Sequence, residues 1–69
     1  MKVSARNSLK GTVKTITYGT VNTEVVIEVA PGVDLVSIIT KASAEAMDLA
    51  EGKEVYAMVK ASNIMLAVD

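Results

Sequence analysis

The segment from Val21 to Val29 alternates between side chains that suit a protein interior and side chains that suit water. The interior type occupies every second position, at Val21, Thr23, Val25, Ile27 and Val29. Asn22, Glu24 and Glu28 lie on the other face. A period of two residues is typical of a β-strand with one buried face. The segment therefore predicts a half-buried strand, which Ala30-Pro31-Gly32 ends because proline lacks an amide hydrogen and glycine permits the turn.

Other segments rich in Val, Ile and Thr predict four further strands. These are Leu9–Tyr18, Val33–Ile39, Glu54–Lys60 and Ile64–Val68. The strand at Val33–Ile39 is apolar on both faces, which fits a barrel interior on one face and a subunit contact on the other.

The periodicity changes between the third and fourth strands. Apolar residues recur there at i, i+4, i+7 and i+8, namely Ala42, Ala46, Leu49 and Ala50. This spacing predicts a short helix over Thr40–Leu49 with one apolar stripe. Thr40 or Ser43 can serve as its N-cap, and Gly52 is well placed to stop it. The expected fold class is all-β with one short helix, arranged as a five-stranded OB-like barrel.

The length and composition favour an oligomer. Sixty-nine residues form one small domain at most, so residues 1–69 are expected to be a single domain. Hydrophobic residues make up 51% of the chain, yet it has no cysteine to form disulfides. So much apolar surface exceeds what one small core can hide, and association with further copies is the remaining way to stabilise it.

Several function classes are disfavoured by what the sequence lacks. The absence of histidine and cysteine removes the usual catalytic bases and thiolate ligands, so neither an enzyme nor a metal-cation site is expected. The net charge of −1 and the presence of only two aromatic residues, Tyr18 and Tyr56, argue against nucleic-acid binding. No apolar run approaches membrane-spanning length and the N-terminus has no hydrophobic signal region, so a cytoplasmic location without a membrane partner is expected.

Three short segments combine hydroxyl groups with a cation and contain no acid. They are Ser4-Ala5-Arg6-Asn7, Thr40-Lys41-Ala42-Ser43 and Lys60-Ala61-Ser62-Asn63. A tetrahedral dianion accepts hydrogen bonds only, so it needs surroundings made of cations, hydroxyls and backbone amides, such as those at a helix start. Each segment by itself is better explained as a helix cap or a turn than as a binding site.

At these segments the chain resembles the molbindins, the Mop family of small molybdate-binding proteins with a TOBE-type domain. The resemblance is carried by Ser4-Ala5-Arg6-Asn7, Leu9-Lys10-Gly11-Thr12-Val13, Gly19-Thr20-Val21-Asn22-Thr23-Glu24-Val25, Ile39-Thr40 through Ser43, Leu49-Ala50-Glu51-Gly52-Lys53-Glu54-Val55 and Val59-Lys60-Ala61-Ser62. Together these motifs span nearly the whole chain, and the combination of the first with the last is the specific feature.

The resemblance implies a homohexamer, built as a trimer of dimers, that binds molybdate, and in some members tungstate, between subunits for storage or homeostasis. At the dimer interface it implies Ser4 and Arg6 from one subunit, and Thr40, Ser43 and Lys60 from the other. Backbone amides near Ala5 and Ala61 would contribute, with Ser62 close by. A second site near the threefold axis would use the loop of Gly19, Thr20, Val21 and Asn22. The alternative function is a ligand-free interaction or regulatory module of OB-like fold.

Overall fold

The computed structural model describes residues 1–69 and contains one antiparallel sheet of four strands. The elements in chain order are β1 (Asn7–Tyr18), β2 (Asn22–Ala30), β3 (Val33–Thr40), the helix α1 (Lys41–Ala46), β4 (Glu54–Val59) and a 3₁₀ turn (Ala61–Asn63). In the sheet the order is β3-β2-β1-β4. The expected class, all-β with one short helix, is confirmed. None of the helices has the length and apolar composition of a membrane span.

The long strand β1 belongs to both halves of the sheet. Its residues Asn7–Thr12 pair with β4, and its residues Thr12–Tyr18 pair with β2. The register shifts between Val13 and Thr15, and an irregularity of this kind bends a strand. The sheet therefore curls toward a barrel, but β3 and β4 remain as unpaired edges and the barrel stays open.

The core of the single chain is small. Its buried residues are Val13, Thr23, Val25, Ile27 and Ala44. Three of them, Thr23, Val25 and Ile27, are on the face of β2 that the alternation predicts to be buried, and Val29 on that face is half-buried, so the prediction is confirmed for these four residues. It is wrong for Val21, which lies before β2 and is exposed. Thr23 Oγ1 is buried without a hydrogen-bond partner, which lowers stability because the hydroxyl has lost its hydration.

The helix is shorter than the sequence predicts. It ends at Ala46, and Asp48 then adopts a positive φ of 50°. Lys53 Nζ donates to the carbonyl oxygens of Met47 and Asp48, at 2.6 and 3.2 Å, and so binds the end of the helix. Thr40 is the N-cap, one of the two residues predicted for that role.

The predicted apolar stripe of the helix is wrong. Ala44 is its buried residue, whereas Ala42, Ala46 and Ala50 are exposed and Leu49 is half-buried. A helix of six residues is too short for the spacing of i, i+7 and i+8 to define one face, so the contact with the sheet falls to one central alanine.

The fifth strand, predicted at Ile64–Val68, is wrong for the single chain. Residues 64–69 form no helix or strand, and the exposed fractions of Met65, Leu66 and Val68 are 92%, 92% and 96%. We call residues 64–69 the C-terminal segment. Its apolar side chains find no partner within the chain, although its composition is that of a buried strand.

Gly11 lies where β1 passes from one partner strand to the other, and a side chain there has no space. A Cβ atom on Gly11 would lie 2.6 Å from the carbonyl oxygen of Glu28 and 2.7 Å from Cγ2 of Ile27. We expect Gly11→Ala to lower the free energy of unfolding by about 2 kcal/mol, since overpacking forces the backbone to shift. Urea unfolding measures this. The exposed neighbour Ser8 gives the control Ser8→Ala, and equal stability of the two variants would contradict the close approach.

Candidate functional site

Two of the three donor segments meet at one end of the sheet. β1 and β4 are antiparallel, and Asn7 pairs with Val59, so the residues before Asn7 lie beside the residues after Val59. Between them is a cavity of about 520 Å³. Its lining consists of Ser4, Ala5, Arg6, Lys60, Ala61 and Ser62. We call these six residues the donor cavity.

The donor cavity has the chemistry of a site for an anion. It offers the guanidinium of Arg6, the ammonium of Lys60 and the hydroxyls of Ser4 and Ser62, with no carboxylate among its lining residues. The two ion pairs of the chain are Lys10–Glu54 and Lys14–Asp34, so neither Arg6 nor Lys60 is neutralised within the chain. Donors without acceptors suit a ligand whose oxygens only accept hydrogen bonds.

The end of β4 is held in place beside the donor cavity. The Asn7 side chain donates from Nδ2 to the Val59 carbonyl oxygen at 3.3 Å. Immediately afterwards the chain turns, and the Asn63 amide donates to the Lys60 carbonyl oxygen at 2.8 Å. The turn therefore presents Lys60, Ala61 and Ser62 in succession to the cavity. The side chain of Asn7 was not among the site residues predicted from the sequence.

The third donor segment is at the junction of β3 and α1. Thr40 Oγ1 accepts a hydrogen bond from the Ser43 amide at 3.1 Å and donates to Ser43 Oγ at 2.8 Å. With Thr40 supplying that proton, the proton of the Ser43 hydroxyl remains available to an outside acceptor. Both side chains are exposed.

One chain does not bring all the predicted site residues together. Thr40 pairs with Asn22 at the end of the sheet where β1 finishes, while the donor cavity is at the end where β1 begins. The structure thus places Arg6 and Lys60 at the same cavity of one chain, which differs from the expected supply of Lys60 by the partner subunit. The sequence does not reveal this, because the proximity depends on the pairing of strands about 50 residues apart.

The loop predicted for a second site already uses part of its backbone in hydrogen bonds within the chain. Gly19, Thr20, Val21 and Asn22 are all exposed. The Gly19 amide donates to the Asn22 carbonyl oxygen at 2.8 Å, and the Lys41 amide donates to the Val21 carbonyl oxygen at 2.7 Å. The amide of Gly19 is therefore used within the loop, and the site predicted there would have to rely on other backbone amides.

A separate apolar groove lies between the two edge strands. Its volume is about 530 Å³, and 13 of its 14 lining residues are hydrophobic. Residues of β3 and β4 form most of it, including Leu35, Ile39, Val55 and Ala57. The sequence indicates a subunit contact on β3 but does not reveal this groove, because it exists only where the sheet fails to close. We call it the edge groove.

Comparison with known proteins gives consistent matches along the chain. The family described as the TOBE domain matches residues 3–66. Molybdenum-pterin-binding protein 2 of Clostridium pasteurianum is 44% identical over 66 residues, covering 96% of this chain and 97% of that protein. The molybdenum-pterin-binding protein MopA of Rhodobacter capsulatus is 48% identical over 67 residues, covering 97% of this chain. The chain spans about a quarter of the length of MopA, and likewise of the molybdenum transport protein ModE of Azotobacter vinelandii.

Solved structures give the same result. A molybdate binding protein from Sporomusa ovata superposes with a TM-score of 0.91 at 41% identity, covering 99% of this chain and all of that one. The cytoplasmic molybdate-binding protein ModG, solved with molybdate bound, superposes with a TM-score of 0.83 at 44% identity. That match covers 96% of this chain and 53% of the ModG chain.

Proposed function

The chain belongs to the TOBE-domain family, and we propose that it binds molybdate at sites between subunits and stores the anion inside the cell. The resemblance to molbindins that the sequence motifs indicate is confirmed by the relatives named for molybdenum-pterin binding and by the molybdate-binding structures. The ligand is molybdate, as in ModG. Residues 1–69 act as one molybdate-binding domain in this proposal.

The observation that carries the proposal is the donor cavity. It joins two cations and two hydroxyls without an acid, and its cations have no partner in the chain. Arg6 can present two parallel hydrogen bonds to oxygens of the anion, while Lys60 supplies a point charge. Ser4, Ser62 and the backbone amides at Ala5 and Ala61 would complete the shell on this side. Since sulfate has the same charge and shape, discrimination against it rests on the size of the site.

The rest of the shell would come from a second chain. The donor cavity is open to solvent, and every one of its lining residues except Ala5 is exposed. Thr40 and Ser43 lie at the other end of β1 and cannot reach it within one chain, so we assign them to the partner subunit at this site. Closing the cavity with a partner excludes water and strengthens each charged contact. A second site at the loop of Gly19, Thr20, Val21 and Asn22 stays a prediction.

Surface area supports the oligomer. The chain exposes 5420 Å², whereas a folded monomer of this mass is expected to expose about 4,100 Å². Much of the excess is apolar: the C-terminal segment exposes Met65, Leu66 and Val68 almost completely. A stable small protein without disulfides must cover such a surface.

We propose that the C-terminal segment of one chain fills the edge groove of another. The groove is apolar and lies between strands whose edges are unpaired, which is what an additional apolar strand requires. This exchange would supply the fifth strand of the OB-like barrel from the partner. It would also bring a second chain close to each donor cavity. A homohexamer arranged as a trimer of dimers follows from the family resemblance.

A binding role without catalysis fits this arrangement. The chain has no histidine or cysteine and no cluster of acids or sulfur ligands able to hold a metal cation. We propose reversible storage of the anion in the cytoplasm, the compartment named for ModG, with tungstate as a second ligand.

The test is metal analysis of the purified protein followed by calorimetry with molybdate. We expect molybdenum to copurify, and the emptied protein to bind molybdate more tightly than sulfate. Tungstate in a parallel titration measures the second ligand. Light scattering on the same sample should give six times the chain mass of 7.2 kDa. Absence of both copurified metal and binding heat would instead favour a ligand-free interaction module.

A further inference from the structure

The side chain of Asn7 lies at the rim of the donor cavity but is not one of its lining residues. It is half-buried, and its Nδ2 atom donates to the Val59 carbonyl oxygen at 3.3 Å. This is the single hydrogen bond made by a side-chain amide in the chain; Asn22 and Asn63 make none.

The pairing of β1 with β4 stops at Asn7. Asn7 and Val59 form the last backbone pair between β1 and β4. Beyond it the two chains separate around the donor cavity, Arg6 on one side and Lys60 on the other. No further ladder hydrogen bond fixes the direction in which β4 leaves the sheet. The side-chain amide of Asn7 donates to the Val59 carbonyl oxygen at that point, immediately before the peptide bond that leads to Lys60.

We propose that Asn7 is a positioning residue of the anion site, which holds the end of β4 so that Lys60 and the 3₁₀ turn face Arg6. The inference rests on the proposed function and adds a residue that does not touch the ligand. The Asn63 amide donates to the Lys60 carbonyl oxygen at 2.8 Å, so the turn is anchored at its start by Lys60. Freedom at the Val59 peptide is therefore transmitted to the backbone amides of Ala61 and Ser62.

The variant Asn7→Leu removes the donor and keeps similar volume, and Asn63→Leu is the matched control in the same region. We expect Asn7→Leu to bind molybdate about 10-fold more weakly by calorimetry, the effect of one lost hydrogen bond acting through the site. Selectivity for molybdate over sulfate should also fall, because the distance between Arg6 and Lys60 becomes less fixed. Asn63→Leu should stay within about twofold of the wild type, because the Asn63 side chain is exposed and makes no hydrogen bond, and the substitution keeps the backbone amide that donates to Lys60.

Amide exchange in the ligand-free oligomer separates positioning from general stability. In Asn7→Leu the Asn63 amide should exchange faster, while amides of β2 such as Val25 keep their rates. Equal acceleration at both places, or unchanged molybdate affinity and selectivity, would overturn the proposal. Asn7→Ser, whose hydroxyl is too short to reach the carbonyl, must reproduce the pattern if the leucine variant does not fold. If the wild type does not bind molybdate, the proposed function fails, and the exchange rates still decide whether Asn7 orders the turn.

Discussion

The Arg6→Ala variant is expected to bind molybdate about 100-fold more weakly than the wild-type chain while keeping its fold. The guanidinium can offer the anion two parallel charge-assisted hydrogen bonds, and at about 1.5 kcal/mol each their loss corresponds to about 100-fold in affinity. Arg6 is exposed and takes part in neither ion pair of the chain, so its removal leaves no buried group without a partner. The loss should therefore appear in calorimetric affinity and not in the circular dichroism spectrum.

The control is Lys10→Ala, which removes the same charge from β1 outside the donor cavity. Lys10 pairs with Glu54 at 3.2 Å, and the pKa of Lys10 is raised by that hydrogen bond and then by attraction to the carboxylate. We expect molybdate affinity within about twofold of wild type for this variant. Arg6→Lys should fall between the two, since an ammonium cannot reproduce the planar fork. Wild-type affinity in Arg6→Ala would remove Arg6 from the site.

The parts of the fold that depend on local pattern were predictable. The alternation on β2 identifies Thr23, Val25 and Ile27 as the buried face, because a strand has a fixed period of two. A hydroxyl residue as the N-cap follows from the chemistry at the start of a helix, and Thr40 is one of the two candidates that the sequence offers. The end of the helix was not predictable in the same way. It depends on the Lys53 side chain and on a positive φ at Asp48, neither of which a hydrophobic period encodes.

The donor types of the site were predictable, but their grouping was not. Arg6 and Lys60 stand out as cations beside hydroxyls, and an acid-free set of donors indicates an anion. Arg6 and Lys60 meet in one chain because Asn7 pairs with Val59 in the register between β1 and β4. The pattern of each strand in the sequence does not specify which other strand it pairs with, or in what register. The contribution of Asn7 has the same origin, because a side-chain amide gains its role from the strand beside it.

The C-terminal segment illustrates a further limit of sequence patterns. Its composition indicates a strand, yet in the single chain it extends into solvent. A hydrophobic pattern indicates that a segment is buried in the native assembly. It does not indicate whether the residues that bury it belong to the same chain or to another chain. The exposed segment and the edge groove are both apolar, and the proposed exchange would bury both of them.

Deleting residues 64–69 should convert the oligomer into an unstable monomer. Covering Met65, Leu66 and Val68 contributes roughly 5–9 kcal/mol per chain, at about 1.5–3 kcal/mol for each side chain. Domains of this size have total stabilities of only about 5–15 kcal/mol, so the truncated chain loses most of its stability. We expect the melting temperature to fall by about 20 °C or more and the mass from light scattering to fall to that of one chain.

Molybdate binding should be lost together with the oligomer, because the donor cavity then lacks the hydroxyls of Thr40 and Ser43 from a partner. The control is a triple variant that keeps the length and the apolar surface of the segment, with the substitutions Met65→Leu, Leu66→Met and Val68→Ile. This variant should retain the oligomer and bind molybdate. This pairing distinguishes the apolar contact from the mere presence of extra residues. A truncated chain that remains a hexamer with unchanged melting temperature would refute strand exchange, since the edge groove would then have another cover. A truncated monomer that still binds molybdate at wild-type affinity would show that the donor cavity of one chain is sufficient, and would refute the intersubunit site.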